Sequence, residues 1–160
     1  MRRRVAAALA AGCIIGAAAG LGAFTFVYAR GASYLTNDPG ACANCHVMRE
    51  HFSAWQRSSH HNVAVCNDCH APHNLAGKYY TKGLNGFWHS FYFTSGTYPY
   101  PLRMTARNRR VTEGACRHCH EEITDAIEHG AGGRAPDGVG GTEERLACTR
   151  CHSDVGHWVR

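Results

Sequence analysis

The sequence predicts a mainly α-helical chain with much irregular structure, in which one N-terminal membrane-spanning helix precedes a small domain poor in apolar residues. Three observations predict it. Val5 to Ala29 is a run of 25 residues without a charge. The rest of the chain shows no long alternation of apolar and polar positions, so strands are not expected. Eight of the nine cysteines fall into four copies of one short motif.

The apolar run comes first. As a helix rising about 1.5 Å per residue, it is long enough to cross the hydrocarbon core of a bilayer. Arg2, Arg3 and Arg4 precede it, so the N-terminus is expected in the cytoplasm and the remainder outside. A cleaved signal peptide is the rival. Ala17–Ala19 offers small residues for cleavage, and Leu9-Ala10-Ala11-Gly12-Cys13 resembles a lipoprotein signal. The run continues to Val27, longer than a signal core, which favours an uncleaved anchor. Gly12, Gly16 and Gly20 share one helix face and would admit a second helix, although glycine is also simply common in membrane helices. The expected division is an anchor over residues 1–30 and an exported domain over residues 31–160.

That domain of some 130 residues is rich in Gly, His, Cys and Tyr. Small domains without a sufficient core need staples. The formal net charge of +5 comes largely from Arg2–Arg4, Arg103, Arg107, Arg109 and Arg110. There is no nucleic-acid-binding motif to go with it, so no nucleic-acid partner is expected.

The four motifs supply the staples. They are Cys42-Ala43-Asn44-Cys45-His46, Cys66-Asn67-Asp68-Cys69-His70, Cys116-Arg117-His118-Cys119-His120 and Cys148-Thr149-Arg150-Cys151-His152. C-x-x-C-H is the signature of covalent haem attachment. Two thiols at this spacing reach the two vinyl groups of one porphyrin, and the adjacent imidazole can bind the iron. One such motif also suits zinc or a thiol redox pair. Four, each followed by His, do not, and a disulfide framework gives no reason for the histidines. The fold class is thus a small multihaem cytochrome c domain packed around four haems behind a transmembrane helix. Haem attachment takes place outside the cytoplasm, in agreement with the anchor's orientation.

Short helices are expected around the motifs. Asn44 to Ser59 places Val47, His51, Phe52 and Trp55 on one stripe. Glu113 to Glu128 places Ile123 and Ile127 four apart, with His129-Gly130 as a stop. Ala131 to Thr142 reads as a loop and Thr142 as the N-cap of a last helix. The 45 residues from Ala71 to Ala115 carry no attachment motif but many aromatics, among them Tyr79, Tyr80, Phe87, Trp88, Phe91, Tyr92, Phe93, Tyr98 and Tyr100. These suit packing against porphyrins. With Lys78 and Lys82 they also suit the membrane–water interface.

Of twelve histidines, His46, His70, His120 and His152 are the proximal candidates. His118 lies inside a motif and is expected to point away from its own iron. Among the others, His60, His61 and His129 lead as distal ligands, ahead of His73, His89 and His157. The first motif continues as Cys45-His46-Val47-Met48, where a thioether competes with the imidazole. Met48 is either an iron ligand, which raises the potential relative to two histidines, or a packing residue.

An anchor followed by four C-x-x-C-H motifs resembles the tetrahaem quinol dehydrogenases of the NapC/NirT type. The short length and the C-x-x-C-H-x-M run from Cys42 to Met48 look most like the small, membrane-anchor subunits of cytochrome c nitrite reductases. Further matching runs are Ser58-Ser59-His60-His61, Lys78-Tyr79-Tyr80-Thr81-Lys82, His89-Ser90 and Phe93-Thr94-Ser95-Gly96. The resemblance implies that Met48 rather than His46 binds the first iron. It implies His61 and His129 as distal ligands of the third and fourth haems, and a partner's ligand for the second, held by His70. It also implies that Lys82 helps bind the quinol. Where the family tends to carry an acidic residue near the quinol, this chain has no Asp or Glu between Asp68 and Glu113. Quinol oxidation releases protons and needs an acceptor. His89, Asp68, a haem propionate or a water chain could serve.

The expected function is oxidation of a menaquinol-type quinol at the outer leaflet of the inner membrane. Electrons would pass to a periplasmic reductase, first among them a multihaem catalytic nitrite reductase subunit. The alternatives are a quinol dehydrogenase serving a nitrate, N-oxide or sulfoxide reductase, a haem reductase in its own right, and a carrier with no quinol site.

Overall fold

The structure, a computed structural model, describes residues 1–130 and 147–157, and only the backbone of residues 128–130. It is helical, with no strand among the described residues. The chain divides into two compact units, Met1–Thr36 and Asn37–Arg160.

The first unit is α1 (Arg2–Tyr28) followed by a 3-10 turn (Gly31–Leu35). Every residue of α1 is exposed, including Leu9, Ile14, Ile15, Leu21, Phe24, Phe26 and Val27. Moving one such side chain out of water gains about 1.5–3 kcal/mol. A helix that is apolar all round and buried against no protein is matched to lipid.

The second unit is built from short helices that start on local caps. In α2 (Pro39–Cys42), Asp38 accepts from the Gly40 N–H at 2.9 Å. Then come a 3-10 turn (His46–Met48) and α3 (Arg49–Gln56). In α4 (Cys66–His70), the Asp68 carboxylate accepts from the Val65 N–H at 2.9 Å. The longest helix of this unit, α5 (Leu75–Ser95), starts at Asn74, whose Oδ1 accepts from the Gly77 N–H at 2.7 Å. A Cβ at Gly77 would lie 2.8 Å from that oxygen. Gly96 ends the helix at φ 68°, in the left-handed region that glycine tolerates. Thr105 caps α6 (Ala106–Cys119), which is followed by α7 (Glu121–Gly130) and α8 (Cys148–Cys151).

Two expected helices are broken. The stretch Asn44 to Ser59 does not run as one helix, because Cys45 is extended (φ −83°, ψ 125°) and the chain restarts through the 3-10 turn. Glu113 to Glu128 is interrupted at His120 (φ −112°, ψ 35°), which caps α6 and lets α7 begin with Glu121 and Glu122. Acidic residues favour a fresh helix start there. The Ala131–Thr142 loop and the Thr142 cap lie outside the described residues.

Among the described residues, the buried hydrophobic side chains are Ala41, Ala54, Ala71 and Ala115. Three of the four adjoin an attachment motif. These small side chains let the motif helices approach one another, but they provide almost no apolar core.

Candidate functional site

The motifs take two backbone geometries. In the second, third and fourth, both cysteines lie on one helical turn: within α4, at the end of α6 and within α8. His120 and His152 then leave the helix with matching backbones, φ −112° with ψ 35° and φ −112° with ψ 51°. The first motif departs from this. There α2 ends at Cys42, Cys45 is extended, and His46, Val47 and Met48 form the 3-10 turn. His46 is exposed, whereas Met48 is half-buried. The His46 backbone is therefore not equivalent to that of the other motif histidines.

The thiols follow one another in space in chain order. Cys42 and Cys66 hydrogen-bond each other, which lowers Cys42 to about 7 and pushes Cys66 above the usual thiol range. Cys69 senses Cys119, and Cys116 senses Cys69 while its thiol is hydrogen-bonded with that of Cys148. Burial, the largest influence, raises Cys69, Cys116 and Cys148. The helices agree: α2 packs on α4, α4 on α6, and α6 on α8. The sequence gives no sign of this order.

The donor set fits four covalent haems. All eight motif thiols are free, and a histidine follows each pair. The near absence of an apolar core, with Val63, Ile123 and Ile127 left exposed, is what a polypeptide wrapped around flat apolar groups would show. His51 Nδ1 is buried with no hydrogen-bond partner.

The imidazoles are gathered near these thiols. Burial lowers His70 to about 4, and His157, His51 and His89 add to the effect. The His157 ring stacks parallel to His70 with centroids 5.9 Å apart, and His51 meets His157 edge-on at 5.1 Å. The His60 and His120 rings meet edge-on at 6.1 Å. His61, an expected ligand, is exposed and meets Trp55 edge-on at 4.7 Å. His118 pairs with His73 at 4.1 Å and is exposed. His152 is exposed, and the His129 side chain lies outside the described residues.

Lys82 and His89 occupy one face of α5 two turns apart, about 10 Å along the axis. Lys82 is 6% exposed and its neighbour Thr81 1%, whereas Lys78 is half-buried. Arg107 of α6 holds this turn, its Nη2 donating to Thr81 Oγ1 at 2.9 Å and its guanidinium lying 5.2 Å from the Tyr80 ring. Lys82 Nζ lies 6.0 Å from the Tyr79 centroid. Burial and the Lys78 charge lower its pKa, and Cys42 partly opposes them. That influence of Cys42 puts Lys82 within electrostatic reach of the first motif. His89 is felt instead at His70 of the second motif; desolvation lowers it, although the residue is exposed. Tyr79, Phe87 and Trp88 are exposed on the same helix. The two residues expected at the quinol site thus neighbour different motifs. Asp68, a suggested proton acceptor, is engaged with the Val65 N–H.

Sequence reasoning missed Glu113. Its Oε2 accepts from the Cys148 N–H at 2.6 Å, and its Oε1 accepts from the Thr149 N–H at 3.0 Å and the Thr149 hydroxyl at 2.5 Å. Burial raises its pKa, but these hydrogen bonds together outweigh burial and hold it below the ordinary 4.5. Because the native value is depressed, the stability that Glu113 contributes is complete above its ordinary value and is lost as pH falls through the native one. Acidification below about pH 4.5 should therefore loosen α8 in the wild type. Circular dichroism of the haem bands would follow this, and Glu113→Gln should remove that component of the pH response.

Similar known proteins point to one family. The model of the NapC/NirT cytochrome c family, N-terminal region, matches residues 3–160. The cytochrome c-type protein NrfH of Wolinella succinogenes is 36% identical over 141 residues, 86% of this chain and 79% of that protein. The cytochrome c nitrite reductase subunit NrfH of Nitratidesulfovibrio vulgaris is 32% identical over 117 residues, 72% and 65% of the two chains. A crystal structure of a cytochrome c nitrite reductase NrfHA complex bound to the HQNO inhibitor contains a similar chain. It has a TM-score of 0.59, 26% identity and coverage of 89% of this chain and 88% of that one.

Proposed function

The chain belongs to the NapC/NirT cytochrome c family, and from that premise we propose that it is a membrane-anchored tetrahaem quinol dehydrogenase serving a cytochrome c nitrite reductase. The observation that carries this reading is the order of the motifs. Each motif neighbours the next from first to fourth, and a buried lysine lies within electrostatic reach of the first. When bound, haems of this kind supply one-electron redox chemistry, which splits the two electrons of a quinol.

The rest falls to the chain's own residues. Lys82 donates to a quinol oxygen, and Tyr79 with the neighbouring aromatics of α5 offers a flat apolar flank for the ring. His89, two turns along the same face, is the proposed proton acceptor, since desolvation keeps its imidazole in the neutral form that can take up a proton. The quinol is of the menaquinol type. Electrons leave by the fourth motif toward the multihaem catalytic subunit, as befits relatives that are named as a nitrite reductase subunit or solved in an NrfHA complex. The test is to mix the purified holoprotein with that catalytic subunit, quinol and nitrite. Nitrite consumption should require both proteins. Consumption with nitrate, N-oxide or sulfoxide reductases instead would change the partner and leave quinol oxidation standing. Turnover of nitrite by this chain alone would overturn the reading.

The topology proposed is a single pass, N-terminus in the cytoplasm and haem domain in the periplasm, set by Arg2–Arg4. The face of α1 marked by Gly12, Gly16 and Gly20, where an added Cβ would meet nothing within 4 Å, is the proposed contact for a second helix in the membrane. The mature protein should keep Arg2–Arg4 and need detergent for extraction. N-terminal sequencing that starts after Ala19, or at a lipidated Cys13, would contradict this.

Iron ligation is proposed as follows. Met48 binds the first iron, since His46 takes a backbone position unlike the other motif histidines. His70, His120 and His152 bind the others. Of the adjacent pair, His60 would hold the third haem in place of the implied His61, because its ring meets that of His120 edge-on at 6.1 Å while His61 lies against Trp55. His157, whose ring stacks near-parallel to His70 at 5.9 Å, would serve the second haem in competition with a ligand from the partner subunit. His129 remains the proposed distal ligand opposite His152. One high-spin haem is then expected. Met48→Leu should change its electron paramagnetic resonance signal and slow quinol oxidation, and His46→Ala should be the milder change. The reverse ranking would make His46 the ligand.

A further inference from the structure

The Glu113 contact spans 35 residues of sequence and takes no part in quinol binding. We propose that Glu113 is a positioning residue that fixes the fourth attachment motif against the third, so that the last step of electron transfer in the chain keeps one spacing. The proposal rests on the tetrahaem reading above.

Three features support it. Glu113 lies three residues before Cys116, one turn back along α6, so the root of its side chain moves with the third motif. Its two carboxylate oxygens hold the backbone N–H of Cys148 and Thr149, and Cys148 is itself an attachment residue of the fourth motif. α8 is one turn long and cannot sustain itself. Its first N–H groups need acceptors, and the methyl side chain of the preceding Ala147 cannot supply one. Asp38, Asp68, Asn74 and Thr105 cap their helices from the same stretch of chain. α8 takes its cap from another helix, one that carries a different haem motif. The spacing matters because electron transfer slows steeply with distance. A carboxylate beside both attachment points also favours the ferric state, which lowers potentials.

The test uses holoprotein carrying all its haems, with Glu113→Ala, Glu113→Gln and Glu113→Asp. Gln keeps the size but sets an NH2 against one of the two N–H groups, while Asp keeps two oxygens on a shorter stem. Hydrogen–deuterium exchange is read at Cys148 and Thr149, and the potential of each haem by redox titration. Ala should speed exchange at both amides, and Gln at the one its NH2 opposes, by about tenfold or more, the size of a lost charged hydrogen bond. They should also raise the potential of the third or fourth haem, while quinol reduction of the first is unchanged. Asp should fall between them and the wild type. If Ala prevents attachment of the fourth haem, the Gln and Asp proteins carry the same comparison. Exchange rates and potentials in Gln equal to wild type overturn the proposal. A wild-type protein that quinol does not reduce would count against the function proposed above, and the exchange result would stand apart from it.

Discussion

Made without haem attachment, the domain from Asn37 onward will lose its cooperative fold and keep only fluctuating helices. The reason is what the structure buries. Ala41, Ala54, Ala71 and Ala115 are the buried hydrophobic residues among those described, and alanine brings little apolar area. Helices of four to ten residues, such as α2, α3, α4, α7 and α8, are too short to persist in water on their own. Local caps contribute about 1 kcal/mol each and cannot replace a core. Replacing all eight motif cysteines with serine should abolish any sharp thermal transition and make the domain readily cleaved by protease. Only α1, whose stability comes from lipid, should keep its helicity in detergent. A cooperative melt in the haem-free protein would show that the polypeptide carries a core of its own.

Lys82→Leu is expected to have the second large effect. Lys82 is 6% exposed, next to a first motif that it senses through Cys42, on a helix turn clamped by Arg107 through Thr81. A lysine that merely reached toward lipid headgroups would be exposed at its tip, as Lys78 partly is. A hydrogen bond from a charged donor is worth about 1.5–3 kcal/mol, which corresponds to roughly 10- to 100-fold in kcat/KM for quinol. Reduction by dithionite and haem content should stay at wild-type levels, since Lys82 touches neither. Lys78→Leu should change quinol kinetics little. Equal effects from the two substitutions would move the quinol away from Lys82.

How much of this the sequence reveals depends on how local each feature is. The anchor and the attachment motifs are legible because a charge-free run and a cysteine spacing are properties of contiguous residues. α5 was not read from the sequence, because aromatic crowding obscures its periodicity, although Asn74 and Gly96 stand at its two ends. The break at His120 was not, because a helical stripe of Ile123 and Ile127 continues across it while the motif histidine leaves the helix. Nor were the different surroundings of His60 and His61. Adjacent residues point different ways: His61 lies against Trp55, whose indole N–H donates to the Ala64 carbonyl at 3.1 Å, and His60 meets His120 edge-on. The order of the motifs in space and the Glu113 contact depend on tertiary approach through small alanines, which no local pattern records.

The central claim is that this chain takes electrons from quinol and passes them along four haems to a nitrite reductase. Its most direct test places the holoprotein in liposomes loaded with menaquinol, with the catalytic subunit and nitrite outside. The account predicts that the haems are reduced on addition of menaquinol, that they are reoxidised by nitrite only when the catalytic subunit is present, and that Lys82→Leu blocks the first step alone. Haems that stay oxidised with menaquinol, yet are reduced by dithionite and reoxidised through the catalytic subunit, would contradict it and leave only an electron carrier.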